Sequence, residues 1–229
     1  MRGFMESDLG YWPAITHLGN SVFLLGVAAT LAAYLIKNGA IRYALFWMFS
    51  FGVAVLVVLL SKIAFMGWGI GNAAIDFTGV SGHSMLSTAV LPPLAVFLTF
   101  RQSARFRFAA VFLSFAIAFM VGISRLALDT HSGSEVVIGW AVGLMVSAPA
   151  IWLARQRMMA RASVAQVAII FCILFALTSP HGDQPGPETH GLITSMALWA
   201  SGRSTPFTRQ MLHEQSHPAS KRMRPMTAS

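Results

Sequence analysis

A histidine and a glutamate four residues apart, His131 and Glu135, are where chemistry first suggests itself in this chain. On a helix that spacing places both side chains on one face, one turn apart. The carboxylate then accepts the proton of one imidazole nitrogen and fixes the tautomer, and the other nitrogen presents its lone pair as a nucleophile. Arg125 stands six residues before His131, across a short connection, and its planar fork of donors suits two oxygens of a phosphate. A second group, Ser81-Gly82-His83, reads as a helix start, where a small residue and a glycine let backbone N–H groups approach an anion. His83 beside that anion is placed to protonate a departing oxygen. Lys62 adds a cation that neutralises charge on a transferring phosphoryl group. Singly, each has a plainer reading: Arg125 or Lys62 as a snorkelling anchor, Glu135 as a favourable charge at a helix N-terminus, either histidine as a satisfied interfacial residue. Their joint placement is what points to phosphate chemistry.

The elements that must position these residues are membrane-spanning helices. Of 229 residues, 55% are hydrophobic and 10% charged, against about 25% charged in a soluble domain. That excludes a disordered chain and argues against a soluble enzyme. Six stretches approach the roughly 20 apolar residues a crossing needs: 21–36, 43–61, 84–100, 108–124, 136–153 and 163–178. The fold expected is all-α: an integral membrane bundle of about six transmembrane helices with a short N-terminal interfacial helix. Three regions follow: a lead, 1–20, anchored in the interface by Tyr11 and Trp12; the membrane domain, 21–178; and a polar, flexible tail, 179–229, in which 191–200 looks locally ordered. The first apolar run follows a lead holding Glu6 and Asp8, so it reads as a retained span rather than a cleaved signal. Within span three, Pro92-Pro93 predicts a kink, because the second ring and its missing N–H break the hydrogen-bond ladder. Gly139, Ala141 and Gly143 predict close helix contact along span five. The single cysteine, Cys172, lies in an apolar run and excludes an internal disulfide framework or a Cys-based zinc site.

Charge sets the expected orientation. Of 16 Lys and Arg, eight (Lys37, Arg42, Arg101, Arg105, Arg107, Arg155, Arg157 and Arg161) fall in three loops without a single Asp or Glu. The positive-inside rule places those loops in the cytoplasm and both termini outside. The formal net charge of +8 is thereby read as topology and not as affinity for nucleic acid. Lys62, His83, Arg125, His131 and Glu135 then share the outer face, where ionisable groups near membrane depth mark function. The expected location is the inner (plasma) membrane, multi-pass, with the site on the periplasmic or extracellular side. The tail histidines His181, His190, His213 and His217 read as solvated residues rather than a metal site.

Together these residues resemble the type 2 phosphatidic acid phosphatase (PAP2) superfamily, whose motifs read K-x6-RP, PSGH and SR-x5-H-x3-D. Here the third is Ser124-Arg125, five residues, His131, three residues and Glu135; the second is Val80-Ser81-Gly82-His83. The lead WPAITHLGNS is also similar to the family's entry sequence, and the resemblance covers roughly residues 10–178. It implies that His131 attacks phosphorus to form a phosphohistidine, that Glu135 orients and charges it, and that His83 protonates the leaving group and helps activate water. It also implies that Lys62, Arg125, Ser81 and the Gly82 backbone hold the phosphate oxygens, with no metal and no cofactor. Three positions depart from the pattern: Glu135 for Asp, Val80 for Pro, and Gly69-Ile70 where motif one has Arg-Pro. The expected function is hydrolysis of a lipid phosphate monoester or polyprenyl pyrophosphate, with the bilayer and that lipid as the partners. Alternatives are a phosphotransferase using the same histidine, or a degenerate member that only binds lipid phosphates. A scaffold whose polar residues merely anchor helix ends leaves the spacing unexplained.

Overall fold

The computed structural model describes residues 10–157 and 188–216. They form α1 (Trp12–His17), α2 (Ser21–Lys37), α3 (Ile41–Trp68), α4 (Gly82–Leu98), α5 (Ala104–Ala127), α6 (Gly133–Arg157), α7 (Glu188–Ser201) and α8 (Arg209–Ser216). The architecture is all-α; among the described residues the one extended pairing is the bridge between Asn72 and Phe77. Trp12–Lys37, Ile41–Trp68, Ala104–Ala127 and Gly133–Ala154 are long and apolar enough to cross a membrane, and α4 is a shorter apolar helix. Five of the six expected spans are therefore helices. The sixth, 163–178, and Cys172 within it, lie outside the described residues.

The chain divides into two compact units. In the first are α1, α2, α3 as far as Val58, and α4 to α6; the second holds Leu59–Gly79 and the C-terminal stretch with α7 and α8.

The first unit is organised around α4, every residue of which from Ser84 to Leu94 is buried. Glycines let α6 approach it. A Cβ on Gly139 would stand 2.7 Å from the Ser81 carbonyl oxygen, and one on Gly143 would stand 2.6 Å from Thr88 Cβ. Only at a residue without a side chain do the two backbones come this close. Ala141, expected to share that contact, is exposed, because it lies two residues from each glycine and so on another side of the helix.

Pro92 and Pro93 are both inside α4, which runs on through them to Leu98. Pro93 has no N–H for the carbonyl of Ala89 one turn earlier. That carbonyl instead accepts the indole N–H of Trp47 in α3 at 3.3 Å, and Trp47 is fully buried. The freed backbone group finds a side-chain donor, as apolar surroundings require.

α3 ends later than expected, at Trp68 rather than 61, because Ile63-Ala64-Phe65-Met66 continues the apolar run. Lys62 therefore lies within the helix and not at its end. The stop is Gly69, at φ +71°: its N–H bonds to the Phe65 carbonyl at 2.8 Å and that of Ile70 to Ala64 at 3.3 Å, a glycine-terminated helix end.

Candidate active site

Glu135 is the third residue of α6, and the sequence Ser132-Gly133-Ser134-Glu135 carries the reciprocal cap that starts such helices. The Ser132 N–H donates to Glu135 Oε2 at 3.2 Å, and the Glu135 N–H reaches Ser132 Oγ at 3.5 Å. The same Oε2 lies 2.6 Å from His131 Nδ1. The pair meets, but not by sharing a helix face: His131 precedes α6, which begins at Gly133, and the cap turns the carboxylate back to it. Glu135 is 0% exposed and the His131 side chain 13% exposed. A buried carboxylate held by two donors keeps the Nδ1 side of the ring occupied and fixes the ring's orientation.

The turn before His131 is set by the end of α5. Asp129 takes the left-handed conformation, φ +52°, a role short polar side chains tolerate. The Arg125 carbonyl then accepts the N–H of Thr130 at 3.1 Å and of His131 at 3.3 Å, together with Thr130 Oγ1 at 3.0 Å. Arg125 and His131 are thus joined through the backbone, as a short fold-back requires. The guanidinium donates from Nη1 to Thr16 Oγ1 at 2.8 Å, while its buried Nε has no partner. An unpartnered buried donor on arginine is the kind of group an anion satisfies.

Ser81 caps α4 with its backbone only; its side chain makes no capping bond to that helix. Its N–H donates to the Glu135 carbonyl at 3.1 Å, and its buried Oγ accepts from Ser84 Oγ at 3.0 Å. Gly82 and His83 follow in the first turn, both partly exposed. The His83 carbonyl accepts from Ser87 Oγ at 2.8 Å. The structure therefore brings Ser81, Gly82, His83, Arg125, His131 and Glu135 into the first unit, with the starts of α4 and α6 bonded to each other. Lys62 belongs to the second unit, where its Cγ backs against Gly79: a Cβ there would stand 3.0 Å away.

Two residues of the lead belong to this arrangement and were missed among the site candidates. Thr16 holds the Arg125 fork, and Gly19 leaves room for His83, whose Cβ and Cδ2 would each be 3.2 Å from a Cβ at that position. The signal was present as the likeness of WPAITHLGNS to the family's entry sequence, which marked the segment without marking the residues.

Comparison with known proteins identifies the family. Phosphatidylglycerophosphatase B of Bacillus subtilis (strain 168) is 31% identical over 148 residues, 58% of this chain and 68% of that protein. The PAP2 superfamily pattern matches residues 71–160, which contain both histidine segments. The chain belongs to the PAP2 superfamily. Its helices also match the crystal structure of the first transmembrane PAP2 type phosphatidylglycerolphosphate phosphatase from Bacillus subtilis, at a TM-score of 0.52 and 25% identity, over 67% of this chain and 79% of that one. An uncharacterized 22.5 kDa protein in the cps region of Klebsiella pneumoniae is 34% identical over 209 residues, 90% of this chain and 99% of that protein. Similarity to it runs well beyond the segment the PAP2 pattern matches. Within this PAP2 chain, Glu135 in place of Asp has a physical reason: glutamate is the residue a helix cap wants at its third position, and its extra methylene lets one carboxylate reach both Ser132 and His131.

Proposed function

We propose that this PAP2 protein hydrolyses a lipid phosphate monoester or polyprenyl pyrophosphate through a phosphohistidine at His131. The observation that carries the reading is the 2.6 Å contact between His131 Nδ1 and the fully buried Glu135 carboxylate. It leaves Nε2 as the nucleophilic atom and stabilises the ring as positive charge develops. In the first step the Nε2 lone pair forms a bond to phosphorus while the bond from phosphorus to the leaving oxygen breaks. His83 delivers a proton to that oxygen. In the second, water attacks the phosphohistidine as His83 takes up its proton, and inorganic phosphate leaves with the Nε2 electron pair restored. Arg125, whose Nε is buried without a partner, and the backbone at Gly82 at the start of α4 hold phosphate oxygens. The resemblance adds Ser81 and Lys62 to that role.

The relatives' names favour phosphatidylglycerophosphate as the first substrate to try. The reading also puts the site on the outer face of the plasma membrane. Its support is that Lys37, Arg42, Arg101, Arg105 and Arg107 cluster at the helix ends opposite those bearing His83, Arg125 and His131, as the positive-inside rule expects. The test is phosphate release by purified protein from phosphatidylglycerophosphate, phosphatidic acid and undecaprenyl pyrophosphate in detergent. Release by the native chain and its loss in His131→Ala supports the assignment; equal release by His131→Ala or His83→Ala overturns it.

A further inference from the structure

α7 carries an apolar face that its packing leaves open. Residues 191–202 include no charged side chain, and Gly191–Ser201 is a short apolar helix. Its eleven residues rise about 16 Å, roughly half of a hydrocarbon core, so it does not cross one. Leu192, Met196 and Trp199 are spaced to fall on one side of the helix and are 64%, 47% and 88% exposed. Trp199 is the most exposed large apolar side chain among the described residues. A stripe of this kind marks a surface that meets something other than water.

The other side of α7 is fastened to the end of α3, and every contact involved lies within the second unit. Ala197 is fully buried. A Cβ on Gly67 would stand 3.2 Å from both the Ala197 carbonyl oxygen and Ser201 Cβ, and Thr194 Oγ1 donates to Met66 Sδ at 3.7 Å. Thr194, Ala197 and Ser201 span about 10 Å of helix yet meet two adjacent residues of α3. α7 therefore crosses the end of α3 and does not run along it. Just past α7, the Phe207 N–H holds the chain to the Met66 carbonyl at 2.9 Å.

This attachment sets the depth of α7. α3 is long and apolar enough to cross a membrane, so its last turn, at Met66 and Gly67, lies where that crossing ends. The same end of α3 exposes Trp68, followed by Ile70, and Leu60 two turns earlier is exposed as well. Tryptophan at such a level belongs to the aromatic belt, with its ring among acyl chains and its N–H among head groups. The first charge after α7, Arg203, is exposed and stacked over the Phe207 ring at 4.1 Å from its centroid, as suits a cation at the head-group level.

We propose that α7 is an interfacial helix that lies on the membrane, with Leu192, Met196 and Trp199 seated in the boundary between head groups and acyl chains of the leaflet where α3 ends. The partner of this face is the lipid surface itself. Short apolar helices with one packed and one open side bind membranes in this way, and here the packed side is the end of a membrane-crossing helix. The proposal holds whichever reaction the histidines perform.

The experiment uses the full-length chain carrying Cys172→Ser, with Leu192→Cys, Met196→Cys or Trp199→Cys introduced singly, and Gln215→Cys on the exposed side of α8 as reference. Each cysteine bears a nitroxide label, and the protein is placed in nanodiscs of phosphatidylethanolamine and phosphatidylglycerol. Collision of the label with oxygen, which dissolves in lipid, is compared with collision with a water-soluble nickel chelate. The oxygen-to-nickel ratio is expected to be several-fold higher at 192, 196 and 199 than at 215. Nickel-dominated collisions at all three positions place the face in water and overturn the proposal. Spin–spin broadening at 199 that vanishes on dilution with unlabelled protein means that a second copy covers the face. Protection from both reagents without broadening means that another protein segment covers it, and either result overturns the proposal. Trp199→Phe gives a check without labels. The fluorescence it removes is expected to be quenched by lipids brominated near the head-group end of their acyl chains, whereas quenching by aqueous iodide alone contradicts the assignment.

Discussion

The backbone N–H of Ser81 donates to the backbone carbonyl of Glu135 at 3.1 Å. One hydrogen bond thereby joins the segment carrying the proposed acid, His83, to the residue that orients the proposed nucleophile, His131. Neither side chain takes part in it, so side-chain substitutions at 81 and 135 leave this backbone bond in place. What sets the register is the glycine seam beneath.

Substitution of Glu135 separates charge from shape. In Glu135→Gln one amide oxygen can still accept from both the Ser132 N–H and His131 Nδ1, which share Oε2 in the native chain, but the negative charge that stabilises the ring as it becomes positive is lost. Turnover is expected to fall about 10²- to 10⁴-fold, by analogy with amide replacement of the carboxylate in a Ser-His-Asp triad. Thermal stability is expected to change little. Glu135→Ala, by contrast, leaves buried donors unsatisfied and is expected to cost about 1–3 kcal/mol of stability as well. Phosphate release and a melting curve on the same preparations distinguish the two.

Gly139→Ala and Gly143→Ala are expected to push α4 from α6, since added methyls would lie 2.7 Å from the Ser81 carbonyl oxygen and 2.6 Å from Thr88 Cβ. Overpacking of this kind costs about 1–3 kcal/mol. Gly139→Ala is expected to lose activity out of proportion to stability, because it strikes the Ser81 backbone directly. Gly52→Ala in α3, with nothing within 4 Å of the added methyl, is expected to leave both unchanged. Equal effects at 52 and 139 would show that the seam does not set the site.

Much of this was legible in the residues themselves. Apolar runs located five helices, and the spacing of Arg125, His131 and Glu135 anticipated a fold-back at the end of α5. The mechanism of the His131–Glu135 contact was not read correctly, because four-residue spacing looked like a shared helix face. The Ser132-x-x-Glu135 capping pattern, which decides it, was equally visible. Other features depend on long-range packing, which local periodicity does not encode. Gly69 departs from the arginine of motif one, and the Phe207 ring packs against it, 3.0 to 3.2 Å from where a Cβ would stand. The stretch expected as a polar tail contains α7 and α8, and Arg209 and His213 of α8 meet Asp76 across more than 130 residues. His181, His217 and the basic residues Lys221, Arg222 and Arg224 lie outside the described residues.

Arg125 is expected to respond differently to removal of its charge and of its support. Arg125→Ala keeps the backbone carbonyl that receives the Thr130 and His131 N–H groups, so the turn persists while the phosphate fork is lost. Turnover is expected to fall about 10²-fold or more, as for other lost charge-stabilising donors. Thr16→Val removes only the acceptor at Nη1, and a fall of about tenfold or less is expected. A melting temperature preserved in Arg125→Ala is the check that the turn has survived. A loss in Thr16→Val matching that in Arg125→Ala would instead mean that α1 holds the site together as a whole.

The proline pair offers a test of how α4 tolerates its missing donor. Trp47→Phe keeps an aromatic ring in the buried position but removes the N–H that satisfies the Ala89 carbonyl, and is expected to cost about 1–3 kcal/mol. Pro93→Ala restores a backbone N–H one turn after Ala89, which can close the ordinary helical bond. If the indole serves to replace that bond, Trp47→Phe costs less in the Pro93→Ala background than in the native one. A double-mutant cycle on melting free energies measures the difference, expected at about 0.5 kcal/mol or more for residues sharing one acceptor. Strict additivity would mean that the two residues act independently and that Trp47 contributes through its packing alone. Turnover per folded molecule is expected to hold across all four proteins, since Ala89 lies beyond the first turn of α4 that carries His83.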